Sequence, residues 1–130
     1  MRLRYVLLLL IFLVLAGCRM GNPHHPVPKQ LYPVLKLYED VVRWSDLVKI
    51  YEFGKPDAGW EVQPNLENVR VTSYEASTPV EIEPWRWGQN AAIAYVLSDR
   101  QVVKQLLDQQ IWVSDDEGDS WYRENPPPRF

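Results

Sequence analysis

The apolar residues of this chain change their period once, near Pro64, and that change limits the folds open to it. Leu31, Val34, Leu35, Tyr38, Val41 and Val42 recur at the spacing of one helix face, and Pro33 suits a first turn. Ser45 and Asp46 break the stripe. Ser45 stands where a second short helix would be capped, one carrying Leu47, Val48, Tyr51 and Phe53 and stopped by Gly54 and Pro56. After Pro64 the period falls to two: Val69 and Val71 alternate with Asn68, Arg70 and Thr72, then Tyr74 and Ala76 take the opposite parity, as in a bulged strand. Helices first and strands afterwards predict an α+β fold, with two N-terminal helices packed on a curved antiparallel sheet of about four strands.

Further along, Val80 and Ile82 alternate with Glu81 and Glu83. Pro84 resets the phase, so that Trp85 and Trp87 face one way and Arg86 the other, in a segment the proline assigns to an edge or bulge. Gly88 to Asn90 reads as a turn or bulge. In the stretch that follows, Ile93, Tyr95 and Leu97 line one face and Ala92, Ala94 and Val96 the other, as expected of a central strand. Val102, Val103, Leu106 and Leu107 fit a helix behind Asp99 as well as a strand. The segments around Trp112 and around Trp121 to Arg123 flank an acidic turn, a hairpin in which Gly118 supplies a positive φ.

Length and composition set the frame for the N-terminus. The chain has 130 residues, enough for one compact domain. Arg2 and Arg4 precede an apolar run from Tyr5 to Leu15 that ends in Ala16, Gly17 and Cys18. About eleven residues at ~1.5 Å each span roughly 16 Å, too short for the ~30 Å core of a bilayer, so the run is a secretion signal. Leu15, Ala16, Gly17 and Cys18 resemble the lipobox of bacterial lipoproteins. That resemblance implies cleavage before Cys18, acylation of Cys18 and anchoring to a bilayer, and Arg19 implies the outer membrane, facing the periplasm. Removal of residues 1–17 leaves 12 basic and 17 acidic groups, a net of −5. That balance opposes non-specific nucleic-acid binding. The mature chain keeps all six Trp, enough bulk for a core without disulfides, and a single Cys with the adjacent His24 and His25 makes no zinc site.

The chain therefore divides into a lipoprotein signal at 1–17, a lipidated Cys18 with a proline-rich tether through residue 31, and a domain at 32–130. Gly21, Pro23, Pro26 and Pro28 give the tether extended geometry, and twelve residues at ~3.5 Å reach about 40 Å. His24 and His25 read as solvated linker residues.

The order of helices and strands, with Tyr38 to Trp44, Ser45 to Phe53, Ala94 to Gln101, Asp108 to Trp112 and Asp119 to Tyr122, resembles the NTF2-like (cystatin-like α+β) superfamily over about residues 32–124. The resemblance implies that residues 101–113 form a strand, against the helical period of 101–107. The usual third helix before the sheet is missing, which implies a reduced, more open cone. Ser114, Asp116, Gly118, Ser120 and Trp121 also resemble the Asp-box of sialidase-like propellers, a hairpin device remote from chemistry. Asp115, Asp116, Glu117 and Asp119 read as a solvated turn, since Ca²⁺ needs six to eight converging oxygens.

Enzymes of the NTF2-like superfamily place His, Asp or Tyr groups inside the cone. Here Tyr74, Tyr95 and Asp108 are the candidates, and core packing is the plainer reading of them. No phosphate loop or spaced carboxylate motif stands out, so no catalytic residue, cofactor or metal is assigned. Trp85 and Trp87, with Tyr95, are the candidate surface for a small apolar ligand or a partner chain. The expectation is a non-catalytic, lipid-anchored periplasmic protein that binds an envelope partner or small apolar ligand. The alternatives are a structural subunit of an envelope complex, or an NTF2-like enzyme acting on a small apolar substrate.

Overall fold

The computed structural model describes residues 25–44 and 46–130, and shows one α-helix packed across a five-stranded antiparallel sheet. The expected signal, Cys18 and His24 lie outside the described residues, as does Ser45. Helix α1, Leu31–Trp44, buries Leu31, Leu35, Tyr38 and Val42, a single stripe at helical spacing. The Pro28 carbonyl accepts from the amides of Leu31 and Tyr32 and so starts the helix.

The expected second α-helix is a 3₁₀ segment, Leu47–Phe53, and its cap is Asp46. The Asp46 carboxylate accepts from the Val48 amide at 3.1 Å. Only Leu47 and Ile50 of that segment are buried, three residues apart, which is the 3₁₀ repeat. A further 3₁₀ turn, Leu66–Asn68, leads into the sheet. The chain is therefore α+β, with one α-helix among the described residues.

The strands are β1 (Val69–Ala76), β2 (Val80–Glu83), β3 (Arg86–Leu97), β4 (Val102–Val113) and β5 (Tyr122–Arg123), in the order β1-β3-β4-β5 with β2 also paired to β3. β4 occupies one edge of β3 from end to end, so β1 and β2 follow one another along the other edge. Five strands thus fill four positions. The register slips between Val71 and Ser73, so Thr72 is the bulge that reverses parity as the sequence pattern predicts. Pro84 and Trp85 form the tight turn of the β2–β3 hairpin, with Trp85 at φ 62°. Gly88 to Asn90 is neither turn nor bulge: all three pair with β4 inside a continuous β3.

Residues 102–113 form an unbroken strand. The helical period of 101–107 loses because Val102 and Val103 remain exposed, whereas Leu106, Asp108, Gln110 and Trp112 alternate inward beneath the helix. The core lies between α1 and the sheet, around Trp87, Ile93, Trp112 and Trp121. Val27 packs against this core and His25 meets the Glu81 carboxylate, so from residue 25 the chain already follows the domain.

Candidate functional site

Beneath α1 the sheet buries a polar cluster that carries most of the domain's ionisable side chains without access to water. Alternation along β4 turns Asp108, Gln110 and Trp112 inward, and the pairing of Trp112 with Arg123 turns Arg123 inward beside them. Tyr38 descends from the helix, and Tyr74 enters from β1 opposite Ile93. Arg123 and Asp108 are only 1% and 2% exposed.

Their geometry is a fork on a carboxylate. Arg123 Nη2 donates to Asp108 Oδ1 at 2.5 Å and Nη1 to Oδ2 at 3.0 Å. The Tyr38 hydroxyl accepts from Arg123 Nη1 at 2.6 Å and donates to Asp108 Oδ2 at 3.3 Å. Gln110 Nε2 donates to Asp108 Oδ2 and to the Tyr74 hydroxyl, while Gln110 Oε1 accepts from the Trp112 indole. The remaining Arg123 donors reach the carbonyls of Asn125 and Pro126. Among the described residues no buried side-chain nitrogen or oxygen lacks a partner.

Burial pushes the Tyr38 phenol well above its ordinary value, against the pull of the Arg123 charge. Burial likewise pushes Tyr74 up to about 12. For Arg123 burial opposes the charged form, yet the Asp108 hydrogen bond and the Asp108 charge help to raise it. At neutral pH the cluster is therefore a charged fork with two protonated phenols around it, an arrangement that fastens helix, sheet and final strand together.

The three residues of the predicted ligand surface lie in separate surroundings. Trp87 is 4% exposed, within the core. Trp85, at 44%, sits in the hairpin turn with its ring against Gly118, where an added Cβ would come within 2.8 Å of Trp85 Cζ3. Tyr95 stacks edge-on against Phe130 at 5.2 Å, and Gln63 holds Phe130 by two backbone hydrogen bonds of 2.8 and 2.9 Å. Of Tyr74, Tyr95 and Asp108, the first and last meet through Gln110, while Tyr95 lies apart.

The acidic hairpin turns on itself. Asp116 Oδ1 accepts from the Ser114 hydroxyl and the Ser120 amide, Ser114 Oγ accepts from the Gly118 amide, and the Trp121 indole donates to the Gly118 carbonyl. Those are the residues of the Asp-box pattern. Hydrogen bonds from the Ser120 amide and the Ser114 hydroxyl hold Asp116 below its ordinary value, and Asp115 turns away to Lys55 at 2.6 Å. Gly118, at φ 93°, has the predicted positive φ, and Glu117 shares it at 57°. Among the described residues no group of three His, Cys, Asp or Glu side chains is placed to hold a metal ion, and no helix is long and apolar enough to cross a membrane.

Two surfaces remain open. A cleft of about 730 Å³ runs beside β2, lined by Pro79, Val80, Ile82, Pro84 and Trp87 together with His25, Thr78, Glu81 and Glu83. The face of the sheet turned away from α1 exposes Val80, Ile82, Val103 and Leu107, the last two at 68% and 58%. Residue patterning missed Arg123 and Gln110. The signal was a polar side chain sharing the parity of a tryptophan, Gln110 with Trp112 and Arg123 with Trp121, where a buried partner is obligatory. No protein-family model, curated protein or solved structure matches the chain.

Proposed function

We propose that the chain is a lipid-anchored bacterial envelope protein, acylated at Cys18, whose NTF2-like domain binds a protein partner through the open face of its sheet and performs no catalysis. The carrying observation is the contrast between the two sides of the sheet. On the helix side, Trp87, Trp112 and the Arg123–Asp108 cluster fill the space where the superfamily keeps a pocket. On the other side, Val103 and Leu107 stand exposed beside Val96 and Ala92. The likeness to NTF2-like domains is supported by one long helix laid across an antiparallel sheet, and the single α-helix fits a reduced member. Outer-membrane attachment facing the periplasm rests on the lipobox and on Arg19.

A small apolar ligand is the second reading, favoured by the cleft beside β2 that Trp87 lines. Two measurements test the proposal. Labelled palmitate is expected in the wild-type chain and absent from Cys18→Ser; equal labelling removes the anchor. A photo-reactive residue in place of Leu107 is expected to cross-link to protein in intact envelopes, while one in place of Leu37, exposed on the helix, is not. Cross-linking at Leu37 alone would assign binding to the helix side and reject the sheet face.

A further inference from the structure

The stripe that seats α1 on the sheet leaves two rows of the helix on the outside. Pro33, Leu37, Asp40 and Trp44 follow one another at helical spacing in one row, and Tyr32, Lys36, Glu39 and Arg43 form the row beside it. Leu37 is 57% exposed and Trp44 76%, the latter more than any other large apolar side chain among the described residues. The Arg43 guanidinium lies over the Trp44 ring, 5.1 Å from its centre, and shares the Glu39 carboxylate with Lys36. An aromatic and an aliphatic side chain held outward beside cations is the composition of a helix face that meets a membrane–water interface.

The N-terminal segment joins the domain on this same side. Glu81 stands opposite Trp87, whose ring is buried on the helix side of the sheet, so the Glu81 carboxylate is on that side too, and His25 meets it there. Seven residues separate Cys18 from His25, and at ~3.5 Å each they span at most about 25 Å.

We infer that the outer rows of α1 rest on the phospholipid surface that holds the acylated chain, with Leu37 and Trp44 among the headgroups and Lys36 and Arg43 at the level of the phosphates. The inference relies on acylation of Cys18, as proposed above, and adds which side of the domain faces the bilayer. A tether this short keeps the helix side at an effective concentration on the order of millimolar beside the lipid, so a contact too weak to recruit the domain is enough to orient it. Asp40 lies in the row of Leu37 and Trp44 and keeps the contact shallow, because a carboxylate does not leave water without a partner. Two apolar side chains divided by that carboxylate offer too little apolar area for a stable protein interface. With the helix on the lipid, the open face of the sheet points away from the bilayer, where a partner can reach Val103 and Leu107.

The chain purified from membranes and reconstituted into vesicles of phosphatidylethanolamine and phosphatidylglycerol tests the inference, because bromine on the acyl chains quenches only tryptophans close to it. Vesicles brominated near the headgroup are expected to quench the wild type. Trp44→Phe should remove most of that quenching and Trp85→Phe should leave it, with thermal melts of both variants reporting an intact fold. A photo-reactive residue in place of Leu37 should capture phospholipid in the same vesicles. Quenching that survives Trp44→Phe or is lost with Trp85→Phe, or capture of protein in place of lipid at position 37 in intact envelopes, would overturn the inference. Mass spectrometry of the purified chain separates the two readings. A chain without acyl groups removes the anchor and the inference together, whereas an acylated chain that bromine leaves unquenched overturns the inference alone.

Discussion

Replacing Arg123 by Met tests whether the domain depends on its buried ion pair. Met fills a similar volume but removes every donor, leaving the Asp108 carboxylate 2% exposed with only Tyr38 and Gln110 to hold it. Breaking one side of such a pair costs about 3–5 kcal/mol, a large part of the ~5–15 kcal/mol that stabilises a domain of this size. At roughly 4 °C or more per kcal/mol, the melting temperature should fall by about 12 °C or more. Asp108→Leu added to Arg123→Met should recover part of the loss, though not all, because Tyr38 and Gln110 each lose a partner at about 1–3 kcal/mol. Denaturant melts of the three variants measure this. A loss under about 1 kcal/mol for Arg123→Met, or no recovery on adding Asp108→Leu, would refute the view that the pair is desolvated and interdependent.

Gly118→Val is expected to cost at least about 2 kcal/mol, because it combines a β-branched residue at positive φ with a Cβ pressed on Trp85, and a thermal melt reads it. Trp87→Ala should cost about 3–5 kcal/mol. Trp85→Gly should cost less than Trp85→Ala in the same assay, since Gly carries no penalty at φ 62° where Ala carries about 1 kcal/mol. Tyr74 has a folded value of about 12 against 10.0 unfolded, so the unfolded state loses its proton first and stability should decline from about pH 10 to 12; Tyr74→Phe should flatten that slope in alkaline melts. Asp116, whose folded value is lowered, stabilises its loop above pH 3.8 and loses that contribution as pH falls through the lowered value, an effect visible in exchange of the Gly118 and Ser120 amides.

How legible the fold was depended on the range of the interactions that decide it. The α1 stripe, the bulge before Tyr74, the central position of β3 and the turn at Gly118 follow from local periodicity and backbone preference, and each is where the residues placed it. Residues 101–107 carried a helical period that the sheet overrode, because pairing with all of β3 satisfies their backbone groups and turns Leu106 inward. The second helix tightened to 3₁₀, with Asp46 as its cap. Gly88 to Asn90 joined the strand because β4 lay alongside to pair with them.

The residues by themselves determined that the chain is α+β, with a helix before an antiparallel sheet, since apolar period and turn chemistry act over a few neighbours at a time. Tertiary structure alone decided which polar groups meet. Arg123 and Tyr38 are 85 positions apart, and no local pattern joins them. It also separated Trp85 from Trp87, which shared a parity on paper, because a two-residue turn at positive φ swings one ring onto Gly118 and leaves the other under the helix. The open face of the sheet arises in the same way. A single bulged residue, Thr72, sets the parity of β1, and only pairing with β3 determines that Arg70, Ser73 and Glu75 share the side of Val96, Ala94 and Ala92.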